Sequence, residues 1–226
     1  MQHDSRNARK YVAEFVGTFV LVFIGAGACI AHHIYPDDIT HAGVALAFGG
    51  VVMCMVYGLG HISGAHINPA VTVALMVVGR FPRHEAIPYL LAQCGGAFLA
   101  TTAHLVTFGN GMAGAAQFGA TFPIAITLSG AFLLEAVLTF ILMLVIMAVA
   151  TDERVPRGIG GLAIGAAVCV DCLAAGKCCG ASMNPARSLA PAVFAGGAPL
   201  DYLWLYIAAP VLGAIAAAYL YEKIRT

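Results

Sequence analysis

The chain has 226 residues, 61% of them hydrophobic and only 10% charged, with a formal net charge of zero. Soluble domains carry about a quarter charged residues, so this composition excludes an ordinary water-facing surface and points to lipid as the solvent. A net charge of zero also removes the electrostatic footing for nucleic-acid binding.

The N-terminal stretch MQHDSRNARK is short and polar. The apolar run after it is too long for the core of a cleaved signal peptide, so residues 11–31 read as a first permanent span. A spanning helix needs about 20 mostly apolar residues. Further segments at about 41–60, 86–107, 126–150, 158–176 and 203–222 qualify. Two other apolar pieces, 69–78 and 185–194, have about half that length, and each opens with Asn-Pro. Proline is favoured at the first position of a helix, where its missing N–H costs nothing. Asn68-Pro69-Ala70 and Asn184-Pro185-Ala186 therefore read as the starts of two short helices.

Arg6, Arg9, Lys10, Arg80, Arg83, Arg154, Arg157, Lys223 and Arg225 all fall on one side of this topology. Excess Lys and Arg mark the cytoplasmic side, so both termini are expected there. Arg187 stands apart, beside a helix start at membrane depth, where a charge is costly and calls for a functional account.

The two halves resemble each other. AEFVGTFVLVF leads to SGAHINPAVT, and LLEAVLTFILMLVIM leads to CGASMNPARS. Asn68 and Asn184 are 116 residues apart, and Glu14 and Glu135 are 121 apart. Three spans per half is an odd number, so the second half enters from the opposite side. The expectation is one transmembrane channel domain over residues 1–226, built of inverted repeats at about 1–112 and 118–226. Its two half-helices would meet by their N-termini near the midplane. Each N-terminus carries about half a positive charge and unsatisfied N–H donors, so the meeting point repels cations while Asn68 and Asn184 offer amide donors to water.

HISGAHINPAVT and NPARS, with the repeat around them, resemble the aquaporin (major intrinsic protein) family over nearly the whole chain. The run LVIMAVATDERVPRG looks most like prokaryotic and archaeal members. The resemblance implies an all-α membrane protein: a right-handed bundle of six tilted helices plus two half-helices. It also implies a multi-pass homotetramer in the cell membrane with one pore per subunit. It further implies a four-residue filter toward the outside, carried over by spacing to Phe48, Cys172, Ala181 and Arg187.

Strict water channels usually have His at the position of Cys172 and often Cys at that of Ala181, so this constriction is expected to be wider and less polar. Ser188, Ala192 and Tyr206 look water-type, whereas Ile207 replaces the usual Trp. The family pattern implies pore-lining roles for His66, Gly64, Gly180 and Ser182, with loop carbonyls offered by residues 63–67 and 179–183. The expected activity is passive passage of water with some leak of small uncharged solutes such as glycerol, protons and ions being excluded. A glycerol-type or gas channel and a secondary transporter are the alternatives.

On the residues alone, Glu14 and Glu135 are either proton relays or acceptors for loop N–H groups; the resemblance implies acceptors. His66 is either pore-lining or merely packed in the vestibule. The seven cysteines read as small buried residues. Cys169-x-x-Cys172 lies on a membrane helix without a knuckle turn, so no metal site is expected there or with Cys178 and Cys179. Asp171 would pair with Lys177 if the helix ended between them. No nucleophile–base set or phosphate loop points to an enzyme, and no cofactor is expected.

Overall fold

The structure, a computed structural model, describes residues 2–156 and 158–225, with side chains from residue 8 onward; Arg157 and the side chain of Arg6 lie outside the described residues. Among these residues there are nine α-helices, in the order α1 (Gln2–Ile34), α2 (Pro36–Ser63), α3 (Pro69–Val77), α4 (Arg83–Ala115), α5 (Leu128–Thr151), α6 (Gly160–Cys179), α7 (Pro185–Ala195), α8 (Gly197–Asp201) and α9 (Leu203–Ile224). A short 3-10 turn at Gln117–Gly119 follows α4.

Six helices are long and apolar enough to cross a membrane: α1 from Ala8, α2, α4, α5, α6 and α9. They coincide with the six segments expected from hydropathy, while α3 and α7 are the two half-length pieces; the five-residue α8 was not expected. Two long helices are broken. Thr40 in α2 has φ 58°, and Gly109 in α4 has φ 68°. The apolar spans expected at 41–60 and 86–107 lie within the main segments on either side of these breaks, so each helix carries an extra turn beyond its span.

Lipid gives no hydrophobic drive between helices, so they associate by close packing of small residues. At the α2–α6 crossing, a Cβ on Gly49 would lie 2.5 Å from the Gly165 carbonyl oxygen, and one on Gly165 would lie 2.6 Å from that of Gly49. On α4, a Cβ at Gly96 would reach 2.2 Å from the Phe15 oxygen of α1; on α9, one at Gly213 would reach 2.0 Å from the Ala136 oxygen of α5. Phe15 follows Glu14, and Ala136 follows Glu135, so the tightest crossings fix the two buried carboxylates in matching places.

Lys10 pairs with Glu85 at 3.0 Å, Arg80 with Glu222 at 2.8 Å and Arg154 with Asp152 at 2.6 Å. These pairs gather the cationic segments at one end of the bundle.

Candidate functional site

Two irregular loops, 64–68 and 180–184, enter the bundle from α2 and α6. Each opens on a left-handed glycine, Gly64 at φ 88° and Gly180 at φ 89°. Ala65 and Ile67 in the first loop, and Ala181 and Met183 in the second, also have positive φ. Non-glycine residues seldom adopt that region, so the surroundings must hold it.

The buried carboxylates do much of the holding. Glu14 accepts from the backbone N–H groups of His66 at 2.8 Å and Ile67 at 2.7 Å. Glu135 accepts from those of Ser182 and Met183, both at 2.9 Å. Loop N–H groups at membrane depth would otherwise go unpaired, so both residues have their lone pairs engaged as acceptors. Glu14 also takes bonds from Ser63 Oγ at 2.7 Å and Gln93 Nε2 at 2.7 Å. The loop starts are pinned alike: the Tyr89 hydroxyl donates to the Ser63 carbonyl at 2.8 Å, and that of Tyr206 to the Cys179 carbonyl at 2.6 Å.

Asn68 and Asn184 cap the short helices. Asn68 Oδ1 accepts from Ala70 N–H at 2.9 Å; Asn184 Oδ1 accepts from Ala186 N–H at 3.0 Å and Arg187 N–H at 3.3 Å. Their amide nitrogens cross over. Asn68 Nδ2 donates to the Met183 carbonyl, and Asn184 Nδ2 to the Ile67 carbonyl, each at 2.8 Å. The two helix tips therefore meet, each asparagine spending one amide N–H on the opposite loop and keeping the other.

Both asparagines line a cavity of about 230 Å³, together with Gly64, His66, Ser182, Phe48, Cys172, Ala181 and Arg187. Gly180 is not part of that lining; its backbone turn packs on Thr121 instead, where a Cβ would sit 2.8 Å from Cγ2. The four expected filter residues come together. The Arg187 guanidinium lies 4.8 Å from the centre of the Phe48 ring, and Cys172 Sγ lies 3.9 Å from the Ala181 oxygen. Gly25 makes room for Phe48, since a Cβ there would reach 2.1 Å from its ring. Gly25 thus has a packing role.

Arg187 is only 3% exposed. Its Nη1 donates to the Gly119 carbonyl at 2.8 Å, its Nη2 lies 3.8 Å from Cys29 Sγ, and its Nε has no partner. Among the described residues no carboxylate forms an ion pair with it. A fixed positive charge thus stands in the cavity wall without an ion-pair partner among the described residues, with a donor left over.

His66 combines both readings made of it. It lines the cavity, yet its ring packs on Phe81 and Tyr89, and its Nδ1 is 3.1 Å from Thr72 Oγ1. His61 faces away from this cavity, in a groove between α1 and α2.

Two further expectations need correction. Asp171 forms no ion pair with Lys177 among the described residues. Helix α6 runs unbroken through both, so residues six apart face different ways; Asp171 is buried with Oδ2 unpartnered. The amides of Asn68 and Asn184 are half committed to the opposing loops rather than wholly free. Sequence reasoning also passed over Cys29, Gln93 and Tyr89. The 117-residue offset between Tyr89 and Tyr206, close to that of the asparagines, was a usable signal for the last. A glutamine inside an apolar span was one for Gln93. Cys29 carried none.

The chain resembles known proteins over nearly its whole length. The family profile described as Major intrinsic protein matches residues 1–221. The chain is similar to Aquaporin NIP1-1 of Zea mays, at 43% identity over 217 residues covering 96% of this chain and 75% of that protein. It is also similar to Nodulin-26 of Glycine max, at 43% identity over 218 residues covering 96% and 78%. Among solved structures, the aquaglyceroporin from Plasmodium falciparum superposes with a TM-score of 0.88 at 29% identity, covering 97% of both chains. These eukaryotic relatives give no support to the expectation of a special likeness to prokaryotic and archaeal members.

Proposed function

The chain belongs to the major intrinsic protein family, and we propose that it is a passive channel for water with some permeability to small neutral solutes such as glycerol. The observation that carries this reading is the reciprocal bond between the two half-helix tips inside a cavity that also holds Arg187.

Water entering a narrow apolar tube must be offered a replacement for each hydrogen bond it loses. The spare amide N–H groups of Asn68 and Asn184 supply donors at the junction. The strained loops, with positive φ at alternate residues, supply carbonyl acceptors on either side. A cation is turned back by charge. The tips present two positive dipole ends, Arg187 adds a full charge, and such elements are recognised barriers to cations and protons. The apolar wall of Leu21, Val52, Ile164 and Val168 gives an ion nothing in place of its hydration shell.

We assign the selectivity filter to Phe48, Cys172, Ala181 and Arg187. Ala181 is small, and Cys172 is a modest side chain with a weak donor, so solutes somewhat larger than water are admitted. A glycerol-type channel is the second reading, favoured by the likeness to the Plasmodium aquaglyceroporin. A proton-coupled transporter is disfavoured, because the carboxylates that would relay protons are engaged with loop N–H groups.

The chain is an integral, multi-pass membrane protein. Placement in the cell membrane, both termini in the cytoplasm, two inverted repeats and assembly as a homotetramer complete the proposal. The test is stopped-flow shrinkage of proteoliposomes, with water and glycerol compared for the wild type and Arg187→Ala. Water flux well above that of empty vesicles is expected, with the glycerol-to-water ratio rising in the variant. Wild-type flux equal to the empty-vesicle background defeats the channel reading.

A further inference from the structure

The cavity has a second arginine. Arg80 lines it at the end opposite Arg187, beside Leu75, Ala150 and Thr151. The backbone of Arg80 is anchored, since its N–H donates to the Leu75 carbonyl at 2.8 Å and ties the residue to the end of α3. Its side chain is partly exposed and lies outward against α9. There Nε and Nη2 grip the two carboxylate oxygens of Glu222 at 2.8 and 3.1 Å.

A second ion pair stands beside this one at the mouth. Asp152, at the end of α5, accepts from Arg154 Nε at 2.9 Å, Arg154 Nη2 at 2.6 Å and the Tyr221 hydroxyl at 2.9 Å. The Arg154 bond holds its carboxyl well below the usual carboxylate range, so it stays ionised and engaged. Arg225, just past the end of α9, lies 3.8 Å from Glu222. Among the described residues Glu222 is the carboxylate that hydrogen-bonds Arg80, while Asp152 reaches it only through its charge; a bidentate fork fixes direction as well as distance.

We propose that Glu222 is a positioning residue that holds the Arg80 guanidinium against α9, clear of the lumen at the proposed cytoplasmic mouth. With that grip lost, the guanidinium of a residue that already lines the cavity is free to reach into the opening. Arg80 then swings across the opening and obstructs it. The inference rests on the channel reading.

The experiment is water flux in proteoliposomes at matched protein content, for the wild type, Glu222→Gln, Arg80→Ala and the double variant. Glu222→Gln is expected to lower water flux by about threefold or more, as a shift of population toward the obstructed state. The double variant is expected to conduct as Arg80→Ala alone does, because there is no longer a side chain to swing in. A merely structural role for Glu222 would not give that rescue. Glu222→Gln at wild-type flux overturns the proposal, and so does a loss of flux that Arg80→Ala leaves uncorrected. Should Glu222→Gln fail to insert, Glu222→Asp is read instead: its shortened carboxylate loosens the fork, so a partial loss restored by Arg80→Ala is expected, and unchanged flux overturns it. Wild-type flux at the empty-vesicle level would defeat the channel reading rather than this one.

Discussion

At the scale of single residues, Glu14 and Glu135 matter for what they keep satisfied. Glu135→Ala leaves two backbone donors, on Ser182 and Met183, without acceptors in a buried loop. Each orphaned buried donor costs about 1–3 kcal/mol, so the detergent-solubilised variant should unfold at a markedly lower temperature than wild type; an unchanged melting temperature would show that the loop does not depend on this carboxylate. Cys172 is buried, lines the cavity and is free of disulfide bonding. Mercurials are expected to block water flux through it, and Cys172→Ser should abolish most of that block; persistence of the block would put another thiol in the pore. The asparagines, Arg187 and the two glutamates were legible because each breaks a local rule: Asn-Pro inside apolar sequence, or a charge at membrane depth. The contact of Arg187 with Cys29 was not legible, because a cysteine within an apolar helix violates nothing. The failed pairing of Asp171 with Lys177 turned on where α6 ends, and element ends are weakly encoded.

At the scale of elements, the six long helices followed from the lengths of the apolar runs, and α3 and α7 from half-length runs that open on Asn-Pro; the five-residue α8 did not. The breaks at Thr40 and Gly109 did not, since a threonine at positive φ has no local sequence signal and tertiary packing must impose it. The crossings make a sharp contrast between glycines. Gly213→Ala would drive a Cβ to 2.0 Å from the Ala136 carbonyl oxygen, backbone against backbone, so α9 must move off α5. Gly58 has nothing within 4 Å of its would-be Cβ, and alanine is the better helix former by about 1 kcal/mol. Gly213→Ala is therefore expected to lose most monodisperse protein in size-exclusion chromatography, while Gly58→Ala elutes as wild type or melts slightly higher. Equal behaviour of the two would mean that the α5–α9 crossing is looser than described.

At the scale of the whole molecule, ion exclusion belongs to the arrangement rather than to any one group. Two positive helix ends, Arg187 and an apolar wall act on the same short path. A negative charge at the junction should cancel part of that field. Asn184→Asp is expected to raise the proton or sodium leak of proteoliposomes measurably above wild type while water still passes. A leak no higher than wild type would remove the dipole ends from the account of selectivity.

The crossed asparagine bonds also bear on how the protein is made. Asn68 finds its acceptor on Met183, a residue 115 positions later in the chain. A ribosome therefore delivers the first tip long before the carbonyl that will receive it exists. Until then the early half must sit in the translocon or bilayer with its seam unsealed, protected by water or by a helper protein. Nascent chains arrested just before Met183 should stay open to protease or chaperone at the first loop, and release past that point should close it in a single late step.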